Sequence, residues 1–296
     1  MAVDEDKGPL GQKVDAPETY APHVLFPVAR ERGRALLGLD AAKPLPFAGD
    51  DVWNAYETSW LTGSGVPRRA TLEIRIPCTT PNIVESKSLK LYLNSLNFKR
   101  FTSPDALVDT VTADVSRILE GSMTAELHGV ESDEPPLLDR TEWCCVDDED
   151  VGELPPEALD VPDSNHLTLR QEATESGSDG AAPVTERLVS HLLRTRCPVT
   201  SQPDWGSVLI EYHGPPINRA GLLRYVVSLR REIGFHENAV ERIGLAIHER
   251  CGPTALRVTG RFMRRGGIDI NPVRSFGEDV EAALGAPARQ LRVPGQ

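Results

Sequence analysis

The sequence has few of the residues that build disulfide or metal frameworks. It contains 5 cysteines among 296 residues, and two of them, Cys144 and Cys145, are adjacent. Adjacent cysteines do not easily bridge to each other, and no CxxC spacing is repeated. The 7 histidines form no HxxxH pair. The sequence therefore favours neither a disulfide framework nor a zinc ribbon, and we expect no metal cofactor.

The sequence also has fewer basic than acidic residues. The chain has 32 Lys+Arg against 44 Asp+Glu, which gives a formal net charge of -12 at pH 7. Duplex-binding proteins neutralise phosphates with Lys and Arg, and anionic membranes attract basic segments. We therefore expect no nucleic-acid partner and no membrane partner.

Long apolar runs and phosphate-binding glycine motifs are missing as well. No stretch approaches the roughly 20 apolar residues of a spanning helix, and the acidic start MAVDEDKGPLGQ lacks the apolar core of a secretory signal. The expected location is the cytoplasm. No GxGxxG follows a strand and no GxxxxGK[ST] occurs, so any dinucleotide must bind outside a Rossmann domain.

Enough apolar residues remain for packed cores, at 40% of the chain, and their spacing predicts the first half. Within residues 51–150, ATLEIRIP alternates as a strand does, and ESKSLKLYLNSLNF has leucines at helical spacing. Ser103 is a typical N-cap, with Pro104 at the first helical position. The predicted order is strand, strand, helix, helix, strand and one further strand.

The second half, residues 187–280, repeats this order. SVLIEYHG and ALRVTGRFM alternate, and two stretches between them have helical spacing. We therefore predict an α+β fold of two successive ββααββ modules, each an antiparallel sheet with helices on one face. The remaining segments are an N-terminal extension at 1–50, an acidic crossover rich in Pro, Gly and Ser at 151–186, and a tail at 281–296.

One loop before a predicted strand could present a nucleophile and an acid together. In RTRCPVTSQPDWGSV, Cys197 and Asp204 are seven positions apart. A cysteine becomes nucleophilic when nearby cations or histidine favour its thiolate. The alternative is that Cys197 is an inert buried residue.

The segment FHE opens the second helix of the second half. Glu237 could accept two hydrogen bonds from the donor-rich edge of a guanine-like base, with His236 beside it. The alternative is that Glu237 only complements the helix dipole and His236 is a surface residue.

Two further segments could hold an anion. VESKSLK places Lys87 and Lys90 after a strand-to-helix junction, where free backbone N–H groups favour phosphate. The alternative is an ordinary helix start with solvated lysines. In FMRRGGIDINPVRS, Arg265 precedes Gly266 and Gly267, and arginine pairs well with phosphate. A hairpin turn explains this second segment equally.

Together these segments resemble the NADPH-dependent 7-cyano-7-deazaguanine reductases of queuosine biosynthesis, in their long two-module form. The matching motifs are ESKSLKLYLNS, CPVTSQPDWGSV, GLLRYVVSLRREIGFHENAVERI and RRGGIDINPVRS, in this order. The resemblance implies a tunnelling fold built from ββααββ modules. It also implies reduction of a nitrile to an aminomethyl group with two NADPH per turnover. Because the motifs are divided between the two modules, a site shared between sheets is expected, and this favours a homodimer.

The resemblance also implies roles for individual residues. Cys197 would attack the nitrile carbon to form a covalent thioimide, and Asp204 would give a proton to the nitrogen. The substrate base would be bound by Val84, Glu85, Ser86, His236 and Glu237. NADPH would be contacted by Ser86, Lys87, Arg265 and Gly266.

Two other functions remain open from the residues alone. A thiol-dependent hydrolase would use Cys197 on a nitrile or amide and let water release the product. A non-catalytic protein that binds a purine-like ligand would need no nucleophile. The motifs are divided between the two halves, so if all of them serve one reaction, neither half should be active alone.

Overall fold

The structure is a computed structural model, and it describes residues 16–129, 137–170, 182–287, 292, 293 and 296. It divides the chain into two compact units, and each is considered by itself. The first takes the described residues of Met1–Lys43, Asp50–Glu134 and Arg264–Ile270. The second takes those of Pro44–Gly49, Pro135–Met263 and Asn271–Gln296. Within the described ranges, no helix has the length and apolar character needed to cross a bilayer.

The first unit is a mostly antiparallel sheet with two longer helices. Its elements are β1 (Pro27–Ala29), α1 (Arg30–Ala35), β2 (Asp50–Thr62), β3 (Pro67–Pro77), β4 (Asn82–Val84), α2 (Ser86–Asn94), β5 (Arg100–Phe101), α3 (Pro104–Leu119) and β6 (Thr124–Gly129). The strand order is β6-β3-β2, with β5 parallel to β2, and β1 pairs with β4 separately.

The first two long strands of this unit form a hairpin, and the predicted helix cap is confirmed. β2 and β3 pair antiparallel across a turn in which Gly65 has φ +87. The Ser103 hydroxyl accepts a hydrogen bond from the N–H of Ala106, and Pro104 begins α3. Such a cap satisfies an N–H that has no partner inside the helix. Apolar residues of β3 and α3 form the core, including Leu72, Ile74, Leu107, Val111 and Val115, all fully buried.

Within the described residues of 51–150, the strand expected after β6 does not join the sheet of the first unit. After β6, the next described strand is the two-residue β7 (Cys144–Cys145), which pairs parallel with a strand of the second unit. Residues 264–270 lie along the edge of β2 instead. The N–H of Tyr56 in β2 donates a hydrogen bond to the carbonyl of Gly267 at 2.9 Å.

The second unit shows the predicted order of strands and helices. Its elements are β7, β8 (Val184–Arg196), β9 (Pro203–Gly214), α4 (Arg219–Ser228), α5 (His236–Cys251), β10 (Ala255–Phe262), β11 (Ile268–Phe276, whose first residues belong to the first unit) and α6 (Val280–Leu284). The strand order is β11-β10-β9-β8-β7. All pairs are antiparallel except β7 with β8, so the sheet is mixed.

Helix α5 packs closely on β10. Val240, Ile243 and Ile247 are fully buried on the face that helical spacing predicts. Gly260 of β10 permits this approach, because a Cβ there would come within 2.7 Å of a Val240 methyl carbon. Any larger residue at position 260 would push the helix away from the sheet.

A buried ion pair also ties α5 to β11. The Nε and Nη2 atoms of Arg274 donate to Glu241 Oε1 at 3.1 and 2.9 Å. The side chains of Arg274 and Glu241 are 0% and 1% exposed. Charges at this depth are stable only while paired, so the ion pair holds the helix at one position along the sheet.

We expect Glu241→Ala to destabilise the protein by about 3–5 kcal/mol, because it leaves the Arg274 charge buried without its carboxylate. The measurement is urea denaturation. Glu249→Ala, on an exposed site of the same helix, serves as the control and should change the free energy of unfolding by less than about 0.5 kcal/mol. Equal losses in the two variants would contradict the role given to the ion pair.

Candidate active site

Cys197 lies at the start of the tight connection between β8 and β9. Its N–H donates to the carbonyl of Gln202 at 2.9 Å, and its carbonyl accepts from the N–H of Ser201 at 3.0 Å. Ser201 has φ +56, a left-handed conformation that closes the turn. These hydrogen bonds extend the pairing of β8 and β9 through Cys197 and hold its side chain on the sheet. Cys197 is only 5% exposed.

The strand register places Asp204 on the same face as Cys197. Asp204 lies directly opposite Thr195, and Thr195 is two residues before Cys197. Residues two apart on a strand share a face, and so do directly opposite residues of paired strands. The thiol and the carboxyl therefore project from one side of the hairpin, and Asp204 is 4% exposed.

Proline at position 203 is compatible with this ladder. Pro203 lies opposite Arg196, whose N–H donates away from β9 to the carbonyl of Glu232 at 2.8 Å. Proline has no N–H to donate, and it is tolerated in a strand where the ladder does not require one. The register that aligns Cys197 with Asp204 therefore loses no hydrogen bond at Pro203.

Helix α5 brings His236 against Asp204. His236 is the first residue of the helix, and its Nε2 lies 3.3 Å from Asp204 Oδ1. Its ring is stacked on Phe262 with 3.9 Å between ring centroids and 1° between planes. His236 and the next residue, Glu237, are both buried. The alternative of a surface histidine is therefore wrong.

One ring nitrogen of His236 has no hydrogen-bond partner within the described part of the chain. Its Nδ1 is buried, and the residues that the structure describes offer it no hydrogen bond. Buried polar atoms in native proteins are almost always paired, so this atom is available for a ligand. Phe262 is a site residue that the sequence does not reveal, because an aromatic residue in an alternating strand is indistinguishable from a core residue.

In the first unit, the proposed base and cofactor residues lie at the start of α2. Val84 ends β4 and packs in the apolar core. Glu85 is the N-cap of α2, and its carboxylate accepts from the N–H groups of Lys87 at 2.7 Å and Ser88 at 2.8 Å. Those N–H groups are therefore not free for phosphate. An anion here would depend on the Lys87 charge and on Ser86, both partly exposed.

The Glu85 carboxyl is almost fully buried. Burial raises its pKa above the ordinary value, although the hydrogen bonds from Lys87 and Ser88 act in the opposite direction. The Ser86 side chain donates a third hydrogen bond to this carboxylate. A carboxylate has about four lone-pair positions, so these three bonds still leave acceptor capacity for a ligand.

Arg265 and Gly266 lie in a tight hairpin turn, as the alternative interpretation of this motif predicted. Arg265 and Ile268 exchange backbone hydrogen bonds of 2.8 and 3.1 Å. Gly266 and Gly267 have φ +58 and +77, the signature of a type I′ turn. A Cβ on Gly267 would lie 2.5 Å from the Glu57 carboxyl carbon, whereas one on Gly266 would meet nothing within 4 Å. The turn leaves Arg265 exposed at its tip.

The structure therefore groups the expected residues in two places. Cys197, Asp204, His236 and Glu237 lie in the second unit, and the Asp204 to His236 contact links the hairpin to α5. The others belong to the first unit, at the start of α2 and in the glycine turn: Val84, Glu85, Ser86, Lys87, Arg265 and Gly266. Among the described residues, no three His, Cys, Asp or Glu side chains could hold a metal ion together.

We expect Glu85→Gln to change how stability depends on pH. Because the pKa of Glu85 is raised in the folded state, the folded protein binds the Glu85 proton more tightly than the unfolded chain does. The resulting stabilisation is fully present below the unfolded pKa and is lost as pH rises through the folded pKa. The free energy of unfolding of the wild type, minus that of Glu85→Gln, should therefore increase as pH falls from 8 to 4. Urea denaturation across this range measures it, and a difference independent of pH would contradict the assignment.

Comparison with known proteins gives full-length relatives. The family described as "Nitrile reductase, 7-cyano-7-deazaguanine-reductase N-term" matches residues 16–127, and that described as "QueF-like protein" matches residues 203–281. A crystal structure of the archaeosine synthase QueF-Like in the apo form covers 33% of this chain and 97% of its own, at 19% identity and a TM-score of 0.29. That similarity is too low to carry a structural argument.

The curated relatives share the name NADPH-dependent 7-cyano-7-deazaguanine reductase. The protein from Desulfotalea psychrophila is 46% identical over 269 residues, covering 90% of this chain and 92% of the relative. Those from an Azoarcus species and from Aromatoleum aromaticum are 44% and 43% identical, covering 96% of both chains in each case. These matches confirm the resemblance seen in the motifs: the chain belongs to the family of NADPH-dependent 7-cyano-7-deazaguanine reductases.

Proposed function

We propose that this protein uses NADPH to reduce the nitrile of 7-cyano-7-deazaguanine to the aminomethyl group of 7-aminomethyl-7-deazaguanine, through a covalent thioimide on Cys197. The observation that carries the proposal is the buried hairpin face on which Cys197 and Asp204 project together. A nucleophile and a proton carrier on one face can act on the two ends of the same triple bond.

The addition step balances with these two residues alone. The Cys197 sulfur forms a bond to the nitrile carbon, and one carbon–nitrogen π bond breaks. The thiol proton passes to the Asp204 carboxylate and from there to the nitrogen. The product is a neutral thioimide, whose C=N accepts hydride far more readily than the original triple bond. Asp204 ends the step in the protonation state in which it began.

The start of α5 supports recognition of the base. A deazaguanine offers a ring N–H and an exocyclic amine on one edge, and the buried carboxylate of Glu237 can accept from both. The unpartnered Nδ1 of His236 offers one further polar contact. In the first unit, Glu85 retains acceptor capacity and is flanked by Val84 and Ser86. Which carboxylate meets which edge stays open in this proposal.

The first unit has residues that fit the phosphates of NADPH. The glycine turn exposes the Arg265 guanidinium beside an unobstructed Gly266, and Lys87 adds a charge at the start of α2, next to the Ser86 hydroxyl. NADPH supplies the hydrides, and reduction of a nitrile to an amine takes four electrons, hence two NADPH. The residues of this chain hold the phosphates and keep the thioimide carbon away from water.

The finer expectations from the sequence belong to this proposal too. Family membership supports the tunnelling fold, and the observed ββααββ order of the second unit agrees with it. The homodimer, the cytoplasmic location and the domain boundaries at 50, 150, 186 and 280 stay predictions, as does the absence of a metal cofactor.

We expect the wild type to oxidise two NADPH per nitrile consumed, and to gain the mass of one substrate molecule when NADPH is withheld. Cys197→Ser should abolish both, because its hydroxyl is a much weaker nucleophile. Cys145→Ser, at an exposed cysteine, is the control and should retain both. Cofactor absorbance and intact mass spectrometry are the measurements. Ammonia release without NADPH oxidation would show a hydrolase, and binding without an adduct would show a non-catalytic protein.

We expect Arg265→Ala to raise the KM for NADPH by at least about 10-fold, since one charge-assisted phosphate contact is worth about 1.5–3 kcal/mol. Formation of the thioimide without NADPH should be unaffected. Arg264→Ala removes a neighbouring exposed guanidinium, one that stacks on Tyr56 at 4.2 Å from the ring centroid, and should leave the KM unchanged. Steady-state kinetics with varied NADPH separate the two. Equal effects would remove Arg265 from the proposed cofactor site.

A further inference from the structure

Thr195 carries a buried hydroxyl that the proposed mechanism has not used. The residue is 1% exposed, and its Oγ1 has no hydrogen-bond partner among the residues that the structure describes. A buried hydroxyl without a partner is unfavourable and uncommon in native proteins. A valine would fill almost the same volume without this cost. The hydroxyl is therefore expected to have a partner that enters with the substrate.

The position of Thr195 indicates which atom that partner is. Thr195 lies directly opposite Asp204 and two residues before Cys197. Directly opposite side chains in an antiparallel pair have Cβ atoms about 4.5–5.5 Å apart. The hydroxyl, the thiol and the carboxyl therefore project from one face of one hairpin. When the thiol attacks the nitrile carbon, the nitrile nitrogen lies on the far side of that carbon. The Asp204 carboxyl must reach the same nitrogen to protonate it.

We propose that the Thr195 hydroxyl donates a hydrogen bond to the nitrile nitrogen while Cys197 adds to the carbon. This inference rests on the proposed function. As the sulfur–carbon bond forms, an electron pair of the triple bond moves onto nitrogen, and the Thr195 O–H stabilises that charge without losing its proton. The proton that remains on nitrogen comes from the thiol through Asp204. A fixed donor aimed at developing charge lowers the barrier because it requires no reorganisation.

The test compares Thr195→Val, which removes the hydroxyl at nearly constant volume, with Thr195→Ser, which keeps it. Protein and 7-cyano-7-deazaguanine are mixed without NADPH, and the covalent adduct is followed by quenched-flow intact mass spectrometry. Loss of one such donor typically slows a reaction by about 10²–10³-fold. We expect a decrease of at least about 30-fold for Thr195→Val, and one of less than about 5-fold for Thr195→Ser.

Two further measurements separate this role from a structural one. Substrate affinity, measured by calorimetry in a Cys197→Ala background that cannot form the adduct, should be nearly equal with Thr or Val at position 195, because the hydrogen bond strengthens only as charge develops. The melting temperature of Thr195→Val should equal or exceed that of the wild type, because an unpaired buried hydroxyl has been removed. A packing role predicts a lower melting temperature.

Each outcome decides the inference. Adduct formation by Thr195→Val at the wild-type rate overturns it, and so does a Thr195→Ser variant as slow as Thr195→Val. A slow Thr195→Val with a lowered melting temperature and weakened binding also overturns it, in favour of packing. A wild type that forms no adduct refutes the proposed function itself. A wild type that forms the adduct, together with an unaffected Thr195→Val, refutes only the role of Thr195.

Discussion

The strand register between β8 and β9 is the constraint on which the proposed chemistry depends. From Val184 to Ser190 the two strands follow one register, and from Leu193 onward the register is shifted by one residue. A shift of one residue reverses which side chains share a face, so this β-bulge decides the partners of every later residue. Asp147 stabilises the bulge, because its carboxylate accepts from the Ser190 hydroxyl at 2.6 Å and from the N–H of His191 at 3.0 Å. Without the bulge, Asp204 would not be opposite Thr195.

The helix that carries the proposed base-binding residues is fixed by different interactions. Gly260 permits close packing of α5 on β10, and the Arg274 to Glu241 ion pair sets the position of the helix along the sheet. The first residue of α5 is then held against Asp204 and stacked on Phe262. Two independently anchored elements, the hairpin and the helix, thus meet at one carboxyl. Catalytic and binding groups must be held within about 0.5 Å of their productive geometry, which requires precise placement of this kind.

Periodicity in the sequence was enough to predict the elements that bury one face. The alternation of β3, the cap of α3 and the apolar stripe of α5 all follow from residue spacing. The bulge in β8 could not be predicted, because it depends on an acidic side chain more than forty residues away. The capping role of Glu85 could not be predicted from the sequence either, since glutamate is not among the preferred N-cap residues. For the site, the motifs supplied the residues through family resemblance, whereas the Asp204 to His236 contact is a product of tertiary packing.

Exclusion of water is what separates reduction from hydrolysis at a thioimide. The same covalent species would release an amide or acid if water reached its carbon, and hydride can reduce it only if the adduct persists. Cys197, Asp204 and His236 are all at most 8% exposed, and in the proposed addition step the proton for the nitrogen comes from the thiol, so that step needs no water molecule. Closed sites protect reactive intermediates in this way. The burial of these three residues therefore favours a reductase over a thiol hydrolase, although both would use the same nucleophile.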